Sequence, residues 1–168
     1  MIKGFKCFNK DLTNRYAFKF EVGKTYKIDS EPKFGNNGKG FHMCKNLEDT
    51  LRYFDLTNNN VTICEVEGHG KYIKYNDEYN GYYDMYAVSE IKIVKALTHD
   101  EIISYALNLP PNRVQRFIQF FNLSKEELKM FKEKFIKEKE VINAISYYKE
   151  NIKDVYSRKL RWNIKYFL

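Results

Sequence analysis

Ile91-Lys92-Ile93-Val94-Lys95-Ala96-Leu97, followed at once by Thr98-His99-Asp100-Glu101-Ile102-Ile103, is the stretch on which the fold turns. The first part is rich in β-branched residues, the composition of a strand. The second opens with Thr98 and places Glu101 three residues on, the spacing of a capping box at a helix start. Upstream, strand and turn patterns continue. Phe18-Lys19-Phe20-Glu21-Val22 alternates, Gly23-Lys24 turns into Thr25-Tyr26-Lys27-Ile28, and Val61 to Val66 is rich in β-branched residues. Asn58-Asn59-Asn60 and Asn80-Gly81 are turn signals. One helix interrupts the strands: Asn46 is placed to cap it, and Leu47, Leu51 and Phe54 form its apolar stripe.

Downstream the period becomes helical. Pro110-Pro111 ends the helix begun at Thr98, and Asn112 starts another carrying Val114, Phe117, Ile118 and Phe121 on one face. A second capping box, Ser124-Lys125-Glu126-Glu127, leads into Leu128, Phe131 and Phe135. Val141, Ile145, Tyr148, Ile152 and Val155 mark a last helix. The expected fold is α+β. A mixed or antiparallel β-rich module with one short helix spans residues 1–97, and a basic module of about four helices spans residues 98–168.

A chain of 168 residues, 43% hydrophobic, can bury a core in one domain with a smaller packed extension. Tyr (14) and Phe (13) are abundant beside many Asn, Lys and Ile residues, a mix common in AT-rich bacterial genomes and their phages. Mean hydropathy is −0.62 and no long apolar run occurs, which excludes a membrane-spanning helix. The opening Met1-Ile2-Lys3-Gly4-Phe5-Lys6 has no apolar signal region, so a cytoplasmic location, in a bacterial host, is expected. Cys7, Cys44 and Cys64 are odd in number and widely spaced, so they read as buried thiols in a reducing compartment.

The charge is one-sided. Residues 1–110 hold 15 Lys/Arg and 15 Asp/Glu, whereas residues 111–168 hold 14 against seven, so the whole net charge of +7 lies in the C-terminal third. Such a field attracts nucleic acid or an acidic protein surface. The last eleven residues concentrate it: Arg158, Lys159, Arg161 and Lys165 stand without an acid, interleaved with Trp162 and Tyr166. There the cations would meet phosphates and the rings would stack on bases. The competing reading docks Leu160, Trp162 and Phe167 on the core and leaves the cations solvated.

Other candidates are sparser. Gly35-Asn36-Asn37-Gly38-Lys39-Gly40 has the glycines of a phosphate cradle but not the Gly-Lys-Ser/Thr ending of a P-loop, and reads as a turn. His42, Cys44, Cys64 and His69 supply four zinc-type ligands at a spacing that matches no standard site, so no metal is expected. The two helices around Pro110 have the outline of a helix-turn-helix, but Arg113, Gln115, Arg116 and Gln119 are few base-reading side chains, and helical packing is the expected purpose.

Three blocks carry a resemblance: Lys3-Gly4-Phe5, Phe20 to Tyr26, and Gly40-Phe41-His42-Met43-Cys44-Lys45-Asn46-Leu47-Glu48-Asp49 running on to Arg52-Tyr53-Phe54. With Cys64 to Gly68 and Ile91 to Val94, they resemble a family of uncharacterised phage and prophage proteins over roughly the first hundred residues. The layout also distantly resembles ADP-ribosyltransferase-like folds. That second resemblance implies a nicotinamide pocket at His42 and Tyr53, NAD as cofactor, and Glu90 as the carboxylate stabilising an oxocarbenium-like transition state. The Ser-Thr-Ser strand and Glu-x-Glu of those enzymes are missing, and a shared layout does not carry an activity.

The leading expectation is a non-enzymatic binding protein without cofactor. It engages a host protein or nucleoprotein complex, RNA-containing or not, or a nucleic acid. A host-defence antagonist, such as an inhibitor of an RNA-guided CRISPR nuclease, is one form of it. The alternatives are the ADP-ribosyltransferase-like enzyme and a phage structural or accessory protein.

Overall fold

The computed structural model describes residues 1–35, 38–51, 61–75 and 84–150, and its chain divides into two compact units. The first is the α+β architecture's sheet. Five strands, β1 (Ile2–Asn9), β2 (Thr25–Lys27), β3 (Phe41–Cys44), β4 (Val61–Tyr75) and β5 (Met85–Ala96), pair antiparallel throughout. The pairings run β1 to β4, β4 to β5, β5 to β3 and β3 back to β1, so the sheet closes into a small barrel. Along the ring, closure removes strand edges that would otherwise expose unpaired amides. It depends on Gly4, where an added Cβ would lie 2.2 Å from the Cys44 carbonyl oxygen, so only glycine lets β3 lie on β1.

Alternation sorts the side chains. Phe8, Phe20, Met43, Cys64, Val66, Val88, Ile91 and Ile93 form the buried interior. On the other face Cys7, Cys44 and Ile63 are buried with Leu47 and Leu51, where helix α1 (Leu47–Thr50) packs on β1 and β3. Asn46 does not cap α1 through its own oxygen; its amide instead donates to Asp49 Oδ2 at 2.9 Å. The remainder of the expected helix, with Phe54, and the turns at Asn58 and Asn80 lie outside the described residues.

Two expectations change. Phe18–Val22 is not a strand: among the described residues its only ladder contact is the isolated bridge Thr13↔Lys19, and its alternation serves to bury Phe20 beneath Phe18 and Tyr26. The β4–β5 ladder is also longer than the apolar runs suggested, and it is irregular. Between His69 and Tyr72 the register slips, so Gly70 and Lys71 face the single residue Ser89. Gly70 takes φ +70°, a conformation natural only to glycine, and Ser89 Oγ accepts the freed Lys71 N–H at 2.9 Å. Beyond this bulge β4 continues to Tyr75 as an arm paired to β5.

The second unit, from Thr98 onward, contains α2 (His99–Leu107), α3 (Pro111–Phe120), α4 (Lys125–Lys134) and α5 (Lys139–Glu150). Both capping boxes form: Thr98 accepts from Glu101 N and Ser124 from Glu127 N, with each glutamate returning to the cap amide. Pro111 occupies the first turn of α3, where its missing N–H costs nothing. The core is aromatic, with Phe117 stacked on Phe121 at 4.7 Å and Phe131 6.0 Å from Phe117. Val114, Ile118, Leu128, Val141 and Ile145 are buried with them. Tyr148 reaches the α3–α4 turn, its hydroxyl accepting the Leu123 N–H at 3.1 Å. No helix among the described residues is long and apolar enough to cross a membrane.

Candidate functional site

The most exposed aromatic side chains of the barrel's first loop are held out by a rigid turn. Asn14 Oδ1 accepts the amides of Tyr16 and Phe18 at 2.9 and 3.1 Å, its own N–H donates to Phe18 O at 3.0 Å, and Ala17 N donates to Asn14 O. This folding forces Ala17 to φ 60°, which for a residue with a Cβ costs about 1–2 kcal/mol. The Asn9 amide, 2.9 Å from Thr13 Oγ1, ties the base of the turn to β1. Tyr16 is thereby 74% exposed and Phe18 49% exposed, and the Arg15 guanidinium lies 4.8 Å from the Tyr16 ring centre.

The same segment is basic. Residues 10–27 carry five Lys/Arg (Lys10, Arg15, Lys19, Lys24, Lys27), all exposed, against Asp11 and Glu21. Asp11 accepts from the Thr13 hydroxyl and amide, which hold its carboxyl below the ordinary range. Glu21 accepts from Lys24 at 2.7 Å. Flat rings beside a guanidinium and amines are the groups that hold bases and phosphates. No local motif marks Arg15 and Tyr16 in the sequence; the recognisable pattern begins only after them, with the alternation of Phe18 to Val22.

A second cluster lies where β1 and β3 part. Lys6 belongs to the inward row of β1, and its ammonium donates to the His42 carbonyl at 2.6 Å. The residue as a whole keeps some exposure, but the amine is enclosed by protein, and burial lowers it to about 8. Burial, then the Lys6 and Arg15 charges, also holds the His42 ring below its ordinary value. That ring stacks on Phe34 at 4.9 Å, and Phe34 meets Tyr75 edge-on at 5.2 Å. His42 is thus a packed residue of the sheet's outer face.

The other expected site residues are dispersed. Glu90 stands in a three-strand row, opposite Lys27 of β2 and His69 of β4. His69 itself turns to Glu67 at 3.6 Å. Cys44 faces α1 whereas Cys64 faces the barrel interior, and no three His, Cys, Asp or Glu side chains among the described residues gather as a metal site. Burial pushes the Cys64 thiol up to about 12 and the Cys7 thiol higher still, so neither is a thiolate at neutral pH. The glycine turn is closed on itself: Gly38 N donates to Gly35 O at 2.8 Å and Lys33 pairs with Lys39. In α3, Arg113, Gln115, Arg116 and Gln119 are half-buried, as helical packing requires. Tyr53, the basic residues Arg158, Lys159, Arg161 and Lys165, and the aromatic Trp162 and Tyr166 lie outside the described residues. Their charge still bears on the helical unit, because residues 98–150 hold nine Lys/Arg against eight acids, while residues 151–168 hold five against one.

Compared with protein families, residues 2–105 match the model of a domain of unknown function, DUF7666. The match takes in every described strand and the first part of α2, in agreement with the resemblance over the first hundred residues to an uncharacterised family. No curated protein and no solved structure matches the chain.

Proposed function

Because the chain belongs to the DUF7666 family, whose description states no activity, we propose its function from its own surface: it is a binding protein that engages single-stranded nucleic acid, free or within a nucleoprotein. The observation that carries this reading is the Asn14–Phe18 turn, which accepts a strained Ala17 in order to present Tyr16 and Arg15 on a basic segment. Strain and exposure of this kind are kept where a surface is used. The basic-aromatic run from Arg158 supplies a second set of the same groups. Within this reading, a host-defence nucleoprotein such as an RNA-guided nuclease is a partner of fitting chemistry, since it presents RNA phosphates and bases.

Fluorescence anisotropy with a labelled single-stranded RNA oligonucleotide tests the proposal. Tyr16→Ala should weaken binding about tenfold, the loss of one stacked base. Arg15→Ala should weaken it and lower its salt dependence. Affinity that both variants leave unchanged would remove the loop from the interface.

A further inference from the structure

Strand β4 has two neighbours only as far as Gly68, where β1 ends at Ile2. Beyond the bulge residues Gly70 and Lys71, Tyr72-Ile73-Lys74-Tyr75 pairs with β5 on one side, and among the described residues no strand pairs the other side of Lys71 to Tyr75. These five residues are exposed, with Tyr72 at 59% and Ile73 and Tyr75 at 37% each. An open edge of this kind is a template for another strand. Lysines commonly guard such edges by repelling a like strand. Here each lysine is already neutralised, Lys71 by Glu31 and Lys74 by Asp84, so the guard is weakened.

We infer that this edge pairs with the same edge of a second copy, antiparallel and centred on Ile73, joining two barrels across a two-fold axis. The sequence reads as its own complement in that register. Ile73 meets Ile73 of the other copy on the axis, Lys71 meets Tyr75, and Tyr72 meets Lys74. Every lysine then faces an aromatic ring, a favourable cross-strand and cation–π pairing, and no two like charges oppose each other. A slip of one residue in one direction sets Lys71 against Lys74, and a slip in the other sets Lys74 against Ile73. Parallel pairing in register stacks lysine on lysine. Alternation places Ile73 and Tyr75 on one face and Tyr72 and Lys74 on the other, so both faces of the joined sheet gain a pair. A contact five residues long is smaller than a standard stable interface, so the dissociation constant should be on the order of micromolar.

Sedimentation velocity of the full chain from about 1 to 200 µM, a range that brackets this affinity, should show a reversible monomer–dimer equilibrium. Ile73→Lys puts two ammonium groups on the axis and should weaken dimerisation at least about tenfold. Tyr72→Lys, which faces Lys74, should do the same, whereas Tyr72→Glu should preserve or strengthen it. Ile73→Cys supplies a register test: mild oxidation should link two copies through that position, because antiparallel partners lie within disulfide reach, while Tyr72→Cys and Lys74→Cys should not cross-link. A monomer throughout the range, equal weakening by Tyr72→Lys and Tyr72→Glu, or failure of Ile73→Cys to cross-link would each overturn the inference.

Discussion

At position 6 a lysine stands where the inward row of β1, with Ile2 and Phe8, favours an apolar side chain. Its amine has one carbonyl partner, His42 O, and is otherwise desolvated, so burial works against the charged form. The fall from 10.5 to about 8 corresponds to roughly 3 kcal/mol at most against the ammonium. Below pH 8 both folded and unfolded chains hold the proton and the penalty is fully present. Between about 8 and 10.5 the unfolded chain binds more protons, so stability rises with pH. Lys6→Met should therefore stabilise the fold at pH 7, by about 1–2 kcal/mol after lost contacts, and should remove this rise. Urea unfolding of both proteins at pH 7 and pH 9.5 checks it: a stability difference that does not shrink at the higher pH would contradict the assignment.

Among elements, the helices were the most legible, because their signals are local. Both capping boxes depend on residues within three positions of one another, and the helix expected from Asn112 begins one residue earlier, with Pro111 in its first turn and Pro110 as its cap. A strand depends on its partner: Phe18–Val22 alternates but among the described residues has only the bridge from Lys19 to Thr13, whereas Val61–Val66, rich in β-branched residues without alternating, pairs with β1 throughout, and no local motif marks the loop that exposes Tyr16. Barrel closure was not legible either, since it rests on contacts such as Phe5↔Cys44, distant in sequence, and on the space at Gly4. One cap does more than the sequence suggested. Glu127 closes its own box on Ser124 and also pairs with His99 at the start of α2. Burial raises its carboxyl, but the bonds from Ser124 and His99 outweigh this and hold it below its ordinary value. The folded state therefore gains stability above the carboxylate range and loses it as pH falls through the lowered value. Ser124→Ala should cost about 1 kcal/mol at pH 7. Glu127→Gln should cost a similar amount there and flatten the loss of stability in acid, as thermal unfolding between pH 3 and 7 can measure.

For the whole molecule, charge is arranged in two places, the segment Lys10–Lys27 and the last eighteen residues, while helices α2–α5 are nearly neutral. If both segments contact phosphates, each contributes separately to the salt dependence of binding. Neutralising Arg158, Lys159, Arg161 and Lys165 together should lower the slope of log affinity against log salt by about 3, at about 0.7 per phosphate on a single strand. Combining that change with Arg15→Ala should lower it further. A slope unaltered by the four substitutions would assign those residues to another role.

The pairing of β5 has a consequence for how the chain is made. It is the last of the described strands in sequence, yet it alone pairs with β2, β3 and β4. A nascent chain that has not yet released Met85–Ala96 from the ribosome can form the β1–β4 ladder but cannot close the ring. Phe20, Met43 and Val66 then remain without Val88, Ile91 and Ile93 to cover them. Closure must wait for residue 96, when Thr98 and the first capping box are about to emerge. The vulnerable interval of synthesis is therefore the one before β5 appears, and slow decoding upstream of codon 85 should prolong exposure of that apolar surface to chaperones and proteases.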